Sequence, residues 1–241
     1  MICYIPSKQR TQTTTYKLFE EAGIEVLHFI EPQEYDLYDV PNKVDIQKND
    51  MGISYVRNFM LKHAKKNNHD WVIFCDDDVK GFGIYNGKTV KKDANIWHDI
   101  LDKAKKLPFE LIGINYVQHA WHEKKSYSIN KKYVEVCVLM NVSKIKWDYV
   151  EGMKQDRQFC FETIRNGYGV LKFNHLWFSC PDVGTNKGGL YDEYKNGSDN
   201  RAAERLVQTY YPYAKLVKKK GRIEAKLNLK DFAKSLNKIV K

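Results

Sequence analysis

The run Trp71-Val72-Ile73-Phe74-Cys75 is apolar at every position and stops on three consecutive aspartates, Asp76, Asp77 and Asp78. A strand with no polar face is buried on both sides, as in a sheet covered by helices above and below. The rest of the N-terminal half agrees. Met1–Ile5, Glu25–Ile30 and Leu111–Val117 read as strands, and about Thr13–Ala22 and Ser54–Lys66 read as helices, with Ser54 as the N-cap of the second. Trp97, Ile100, Leu101, Ala104 and Leu107 form the apolar stripe of a third helix. The polar stretch 31–50 reads as a loop, and Gly81, Gly83 and Gly87 as a turn. Strands alternating with helices define βαβ units. The expected fold class is α/β, a single domain with a Rossmann-like nucleotide-binding half and a mixed central sheet.

The second half predicts a strand over Val134–Met140, a helix over Asp156–Asn166, a strand over Gly169–Phe178 and a helix over Asn200–Tyr210. A last helix is expected from an Asn228 N-cap to about Val240, which makes 215–241 a basic, helical segment. Of the net charge of +10, this segment carries most, with ten Lys and Arg against Glu224 and Asp231. Such a cluster attracts polyanions, so Lys218, Lys219, Lys220 and Arg222 are the expected DNA contacts. A solvated lysine face is the alternative. No apolar run approaches the roughly 20 residues that span a bilayer. The opening MICYIPSKQR is a strand pattern and not a signal peptide. A cytoplasmic protein with no membrane partner is therefore expected. The five cysteines are widely spaced without a CxxC pair, and read as reduced core thiols.

Asp76, Asp77 and Asp78 leave the carboxyl end of a strand, where open α/β sheets place their ligand crevice. Alternation along extended backbone points Asp76 and Asp78 to one side, giving two hard oxygen ligands for Mg²⁺ or Mn²⁺ on a diphosphate. A solvated acidic turn before Lys80 is the bland alternative. Pro6 and Ser7, with Lys8 and Arg10, follow the first strand where a nucleotide would lie. Asp182–Gly189 is a glycine-rich stretch whose Lys187, Gly188 and Gly189 are suited to close over phosphates.

Taken together, the acid motif Trp71–Asp78, the segment Gly52–Asn58 with its Arg57-Asn58 pair, the opening Tyr4–Arg10 and the later Lys187-Gly188-Gly189-Leu190 resemble the TET-associated glycosyltransferases. These are a GT-A group encoded largely by bacteriophages, and the similarity covers about Met1–Leu190. The resemblance implies a GT-A-like domain with a donor nucleotide-binding half over 1–118 and an acceptor and catalytic half over 119–214. It implies metal-dependent transfer of a hexose or pentose from a nucleotide sugar, a UDP-sugar as first expectation, with Mn²⁺ or Mg²⁺. The acceptor it implies is the hydroxyl of a 5-hydroxymethylpyrimidine in DNA, such as 5-hydroxymethylcytosine, in the host cytoplasm if the gene is a phage's. By the same resemblance Asp76 and Asp78 hold the metal, Asp76 and Arg57 bind the donor, Asp156 is the general base and His175 completes the metal site. Tyr116, Trp121, Tyr127 and Trp177 are candidates to stack on an extruded base. Three alternatives stay open: a glycan or protein acceptor, a sugar nucleotidyltransferase, and a nucleic-acid-binding or nuclease protein. The nucleotidyltransferase expects glycines after the first strand, which Pro6–Arg10 lacks.

Overall fold

The computed structural model describes residues 1–182, 184–219 and 222–237. In chain order the strands are β1 (Ile2–Ser7), β2 (Glu25–Ile30), β3 (Lys43–Asp45), β4 (Trp71–Cys75), β5 (Gly81–Tyr85), β6 (Val90–Lys92), β7 (Phe109–Tyr116), β8 (Tyr127–Ile129), β9 (Cys137–Asn141), β10 (Gly169–Ser179), β11 (Ala214–Lys219) and β12 (Arg222–Leu227). The helices are α1 (Thr15–Glu20), α2 (Gly52–Lys66), α3 (Ile96–Ala104), α4 (Val117–Ala120), α5 (Gln155–Arg165), α6 (Tyr191–Lys195), α7 (Ser198–Tyr210) and α8 (Leu229–Ser235).

Among the described residues, ten strands form one mixed sheet in the order β3-β2-β1-β4-β9-β7-β10-β5-β6, with β8 paired to β10. β3, β2, β1 and β4 are parallel, and this is the Rossmann-like half. β9 runs antiparallel between β4 and β7, and β10 returns parallel to β7. The GT-A-like α/β class expected from the sequence is the class this strand order has.

Alternation sorts the apolar residues onto two faces. Tyr4, Val72, Phe74, Val138 and Met140 pack with α2, α5, α7 and α8 on one side. Cys3, Ile5, Ile73, Cys75, Cys137 and Leu139 pack with α1 and α3 on the other. Both faces are dry, which is why β1, β4 and β9 read as continuous apolar runs. Among the described residues no helix is long and apolar enough to cross a membrane.

Four expectations change. Ser54 does not cap α2. The helix starts at Gly52, and Ser54 Oγ donates instead to the carbonyls of Val150 at 2.5 Å and Gly152 at 3.3 Å, fixing the loop before α5. Gly81 and Gly83 lie in a strand and not in a turn. A Cβ on Gly83 would sit 2.0 Å from the Lys91 carbonyl oxygen and 2.5 Å from the Trp177 ring, so only glycine admits this packing. The stretch 31–50 contains a 3₁₀ turn, Pro32–Leu37, and the edge strand β3. The basic C-terminal segment is not helical throughout. Residues 214–219 and 222–227 pair as an antiparallel hairpin, in which Ile223, Ala225 and Leu227 recur with period two. Asn228 does cap the following helix, accepting from the Asp231 N–H, but α8 ends at Ser235. Leu236 and Asn237 form a turn, residues 238–240 of the expected helix lie outside the described residues, and so does Lys220.

Candidate active site

A cavity of about 500 Å³ opens at the carboxyl ends of β1 and β4. Pro6, Ser7, Arg10, Arg57, Asp76, Asp78, Asp156 and Gly189 all line it, so the sheet and its helices gather eight of the expected residues from five separate chain segments.

The acid motif is divided by burial. β4 ends at Cys75, and the three acids enter a turn. Asp77 is 5% exposed and points inward, taking hydrogen bonds from Ser7 Oγ and from Arg10 Nη1, the latter at 2.5 Å. Its backbone carbonyl accepts from Thr13 Oγ1 at 2.6 Å. Asp77 therefore ties β4 to the loop after β1. Asp76 and Asp78 remain open to the cavity. Asp76 accepts from Arg57 Nη2 at 3.0 Å, while Asp78 lies 3.3 Å from Arg10 Nη1 and accepts from Asn186 Nδ2 at 3.1 Å. Burial pushes Asp76 up to about 6 despite the opposing pull of Arg57, and Asp77 up to about 6 despite Arg10. Two hard oxygen donors in an anionic, partly desolvated setting fit Mn²⁺ or Mg²⁺. Among the described residues no three acid, histidine or cysteine side chains converge on one point, so further ligands would be phosphate oxygens and water.

Arg10 also clasps the glycine-rich loop. Its Nε donates to the Lys187 carbonyl at 3.0 Å and its Nη2 to those of Gly188 at 3.3 Å and Asn186 at 3.5 Å. Gly189 N–H returns a bond to the Lys8 carbonyl at 3.0 Å. A Cβ on Gly188, whose φ is +83°, would stand 2.9 Å from the carbonyl oxygens of both Lys8 and Gln9. Lys187 contributes its carbonyl, and its side chain is exposed and does not line the cavity.

Asp156 sits in the first turn of α5, its Oδ1 accepting from the Arg157 N–H at 2.9 Å. Three neighbours of this helix start are not evident from sequence. Lys154, in left-handed backbone at φ +58°, buries its Nζ against Asp199 at 2.5 Å and Glu224 at 3.4 Å. Arg157 Nη1 meets Glu224 at 2.5 Å. Burial works against the Glu224 charge, yet Arg157 and Lys154 hold its carboxyl below the usual glutamate range. The third neighbour is Glu135, which faces the cavity beside Asp156. Its one sequence signal was an acid inside an apolar run.

His175 is not brought to the acid motif. It lies where β10 bulges, between Phe173 opposite Ile114 and Trp177 opposite Asn115. Its Nε2 bonds the Glu123 carbonyl at 2.8 Å and its ring packs edge-on to Tyr85. Of the four aromatic candidates only Tyr116 lines the cavity. Trp177 is 3% exposed and covers Gly83, and Trp121 and Tyr127 are exposed outside the cleft. Lys218, Lys219 and Arg222 lie at the end of the β11–β12 hairpin, whose Glu224 reaches the cavity.

The site is thus an acid motif at the carboxyl ends of the parallel strands of a mixed α/β sheet. The profile of the TET-associated glycosyltransferases matches residues 1–189, and the chain belongs to that family. It is a glycosyltransferase. No curated protein sequence matches it. Among solved structures it is similar to the protein A197 from STIV, at 13% identity and a TM-score of 0.45, over 73% of this chain and 83% of that one. It is also similar to a mannose-1-phosphate geranyltransferase from Thermus thermophilus, at 12% identity and a TM-score of 0.35, over 99% of this chain and 68% of that one.

Proposed function

We propose that the enzyme transfers a hexose or pentose from a nucleotide sugar to the hydroxyl of a 5-hydroxymethylpyrimidine in DNA. The observation that carries the reading is the shared cavity, in which Asp76 and Asp78 open on the same space as Asp156. The donor nucleotide, a UDP-sugar in the first instance, lies against Pro6, Ser7 and Arg10, with Arg57 and the Gly188-Gly189 loop about its phosphates. Asp76 and Asp78 would hold Mn²⁺ or Mg²⁺, which would supply charge neutralisation for the departing diphosphate.

Asp156 takes the proton of the acceptor hydroxyl. The hydroxyl oxygen forms the bond to the anomeric carbon as the bond from that carbon to the diphosphate breaks, and the electron pair leaves with the nucleoside diphosphate. Residues 1–118 serve the donor, 119–214 the acceptor, and the basic hairpin the DNA backbone. A base inside a duplex must be extruded to reach the cavity, and Tyr116 is the side chain best placed to pack against it.

The test is release of nucleoside diphosphate from nucleotide sugars with Mn²⁺, for the wild type and Asp78→Asn. Metal-dependent release that Asp78→Asn abolishes supports the donor site. Release of pyrophosphate from a nucleoside triphosphate and a sugar phosphate would replace this reading with nucleotidyl transfer.

A further inference from the structure

The backbone around Glu135 is strained. Val136 has φ +65°, a value β-branched residues rarely adopt, and the Cys137 N–H bonds the Glu135 carbonyl at 2.7 Å. This closes a three-residue γ-turn of the uncommon positive-φ kind. The turn interrupts the strand expected over 134–140, and β9 begins only at Cys137.

Its effect is to exchange two side chains across the sheet. Cys137 and Leu139 pack on the α1 and α3 face. In an unbroken strand Glu135 would share that apolar face, because positions two apart point the same way. Instead Val136 packs there, and Glu135 lines the cavity. The Asp76 N–H donates to the Val136 carbonyl at 2.9 Å, so the turn is also tied to the acid motif. Strain of this kind costs on the order of 1–3 kcal/mol and persists where the surroundings enforce it.

Once turned inward, Glu135 has its carboxyl in hydrogen-bonding contact with Asp156. Asp156, Arg157 and Cys160 face it from α5, Lys172 from β10, Tyr116 from β7 and Tyr194 from α6. Burial and the Asp156 charge raise the Glu135 carboxyl above the usual glutamate range, against Arg157 and Lys172. A carboxyl beside a second one favours its own protonated form, and a protonated carboxyl can donate to its neighbour.

We propose that Glu135 is a positioning residue for acceptor activation: the strained turn presents its carboxyl beside that of Asp156, where it donates a hydrogen bond that fixes Asp156 towards the acceptor hydroxyl. The inference rests on Asp156 being the base. In the transfer step the hydroxyl proton passes to this pair, the oxygen bonds the anomeric carbon, and the bond to the diphosphate breaks with its electron pair.

Two measurements test it. In ¹³C-glutamate-labelled protein, Glu135 should titrate above the other glutamates and move down in Asp156→Asn; a Glu135 that titrates with the rest, or that does not move, overturns the proposal, whatever the acceptor proves to be. In transfer to 5-hydroxymethylpyrimidine DNA, Glu135→Gln should lower kcat about 10- to 100-fold at little change in donor KM. It should also move the acid limb of the pH profile to higher pH, because a carboxyl pair already holding one proton takes a second only below the range of a single carboxyl. Wild-type kcat with an unmoved limb in Glu135→Gln, while Asp156→Asn is inactive, refutes the role of Glu135 alone. Full activity of Asp156→Asn refutes the base on which it rests.

Discussion

Lys154→Met should destabilise the protein by about 3–4 kcal/mol at pH 7. Methionine keeps the length and apolar stem of lysine and inherits the same left-handed backbone at φ +58°, so the strain cancels and the charge is what changes. The Lys154 side chain is 5% exposed and that of Asp199 is 7% exposed, so their 2.5 Å contact is a buried ion pair. Breaking such a pair by removing one partner costs about 3–5 kcal/mol, because the other charge is left desolvated. Glu224 keeps Arg157, so the loss falls on Asp199. A stranded aspartate can escape by taking a proton, which for an ordinary carboxyl costs about 4 kcal/mol at pH 7 and about 1.5 kcal/mol at pH 5. The ceiling therefore drops with pH. Urea denaturation at both pH values reads this directly. A loss under about 1 kcal/mol at pH 7, or an equal loss at the two pH values, would refute a buried charge network at the start of α5.

Other outcomes follow from the same geometry. Glu224→Gln should cost on the order of 2 kcal/mol at pH 7. Because the folded carboxyl is held below the ordinary range, that advantage is full above the unfolded glutamate value and is lost as pH falls through the lowered folded value; a gap that widens in acid would contradict it. Gly188→Ala places a Cβ 2.9 Å from two backbone carbonyl oxygens at φ +83°, and should displace the loop, lower the melting temperature and weaken donor binding in calorimetry. Unchanged donor affinity would remove the loop from the donor site. Replacing Lys218, Lys219 and Arg222 with Gln should reduce the salt slope of DNA binding by about 2–3, and an unchanged slope would make the hairpin a solvated face.

The parts of the fold that showed in the sequence are those set by local pattern. β4 is legible to the residue because it is an apolar run between polar breaks, and β2 because its β-rich run lies between Gly23 and the polar stretch that begins at Glu31. The acid motif was visible because the β4 run ends on it. What did not show depends on contacts between distant segments. The inward turn of Asp77 needs Ser7 and Arg10 from the end of β1. The 174–176 bulge that carries His175 to Glu123 arises from pairing with β7. The period-two pattern Ile223, Ala225, Leu227 of β12 is short and interleaved with charge, so the segment reads as helix. Glu135 was read as a strand residue because nothing in Val134-Glu135-Val136 announces a positive φ at a valine. Nothing around Lys154 in the sequence announces its buried partners, because Asp199 and Glu224 come from α7 and β12.

The central claim is that this family member glycosylates a hydroxymethylated base in DNA, and mass spectrometry of nucleosides tests it most directly. DNA containing 5-hydroxymethylcytosine or 5-hydroxymethyluracil would be incubated with the protein, Mn²⁺ and a panel of nucleotide sugars, then digested. The account expects a hexose- or pentose-sized mass increase on the modified nucleoside, lost in Asp156→Asn. No increase on either base, alongside metal-dependent hydrolysis of the donor, would contradict DNA as the acceptor.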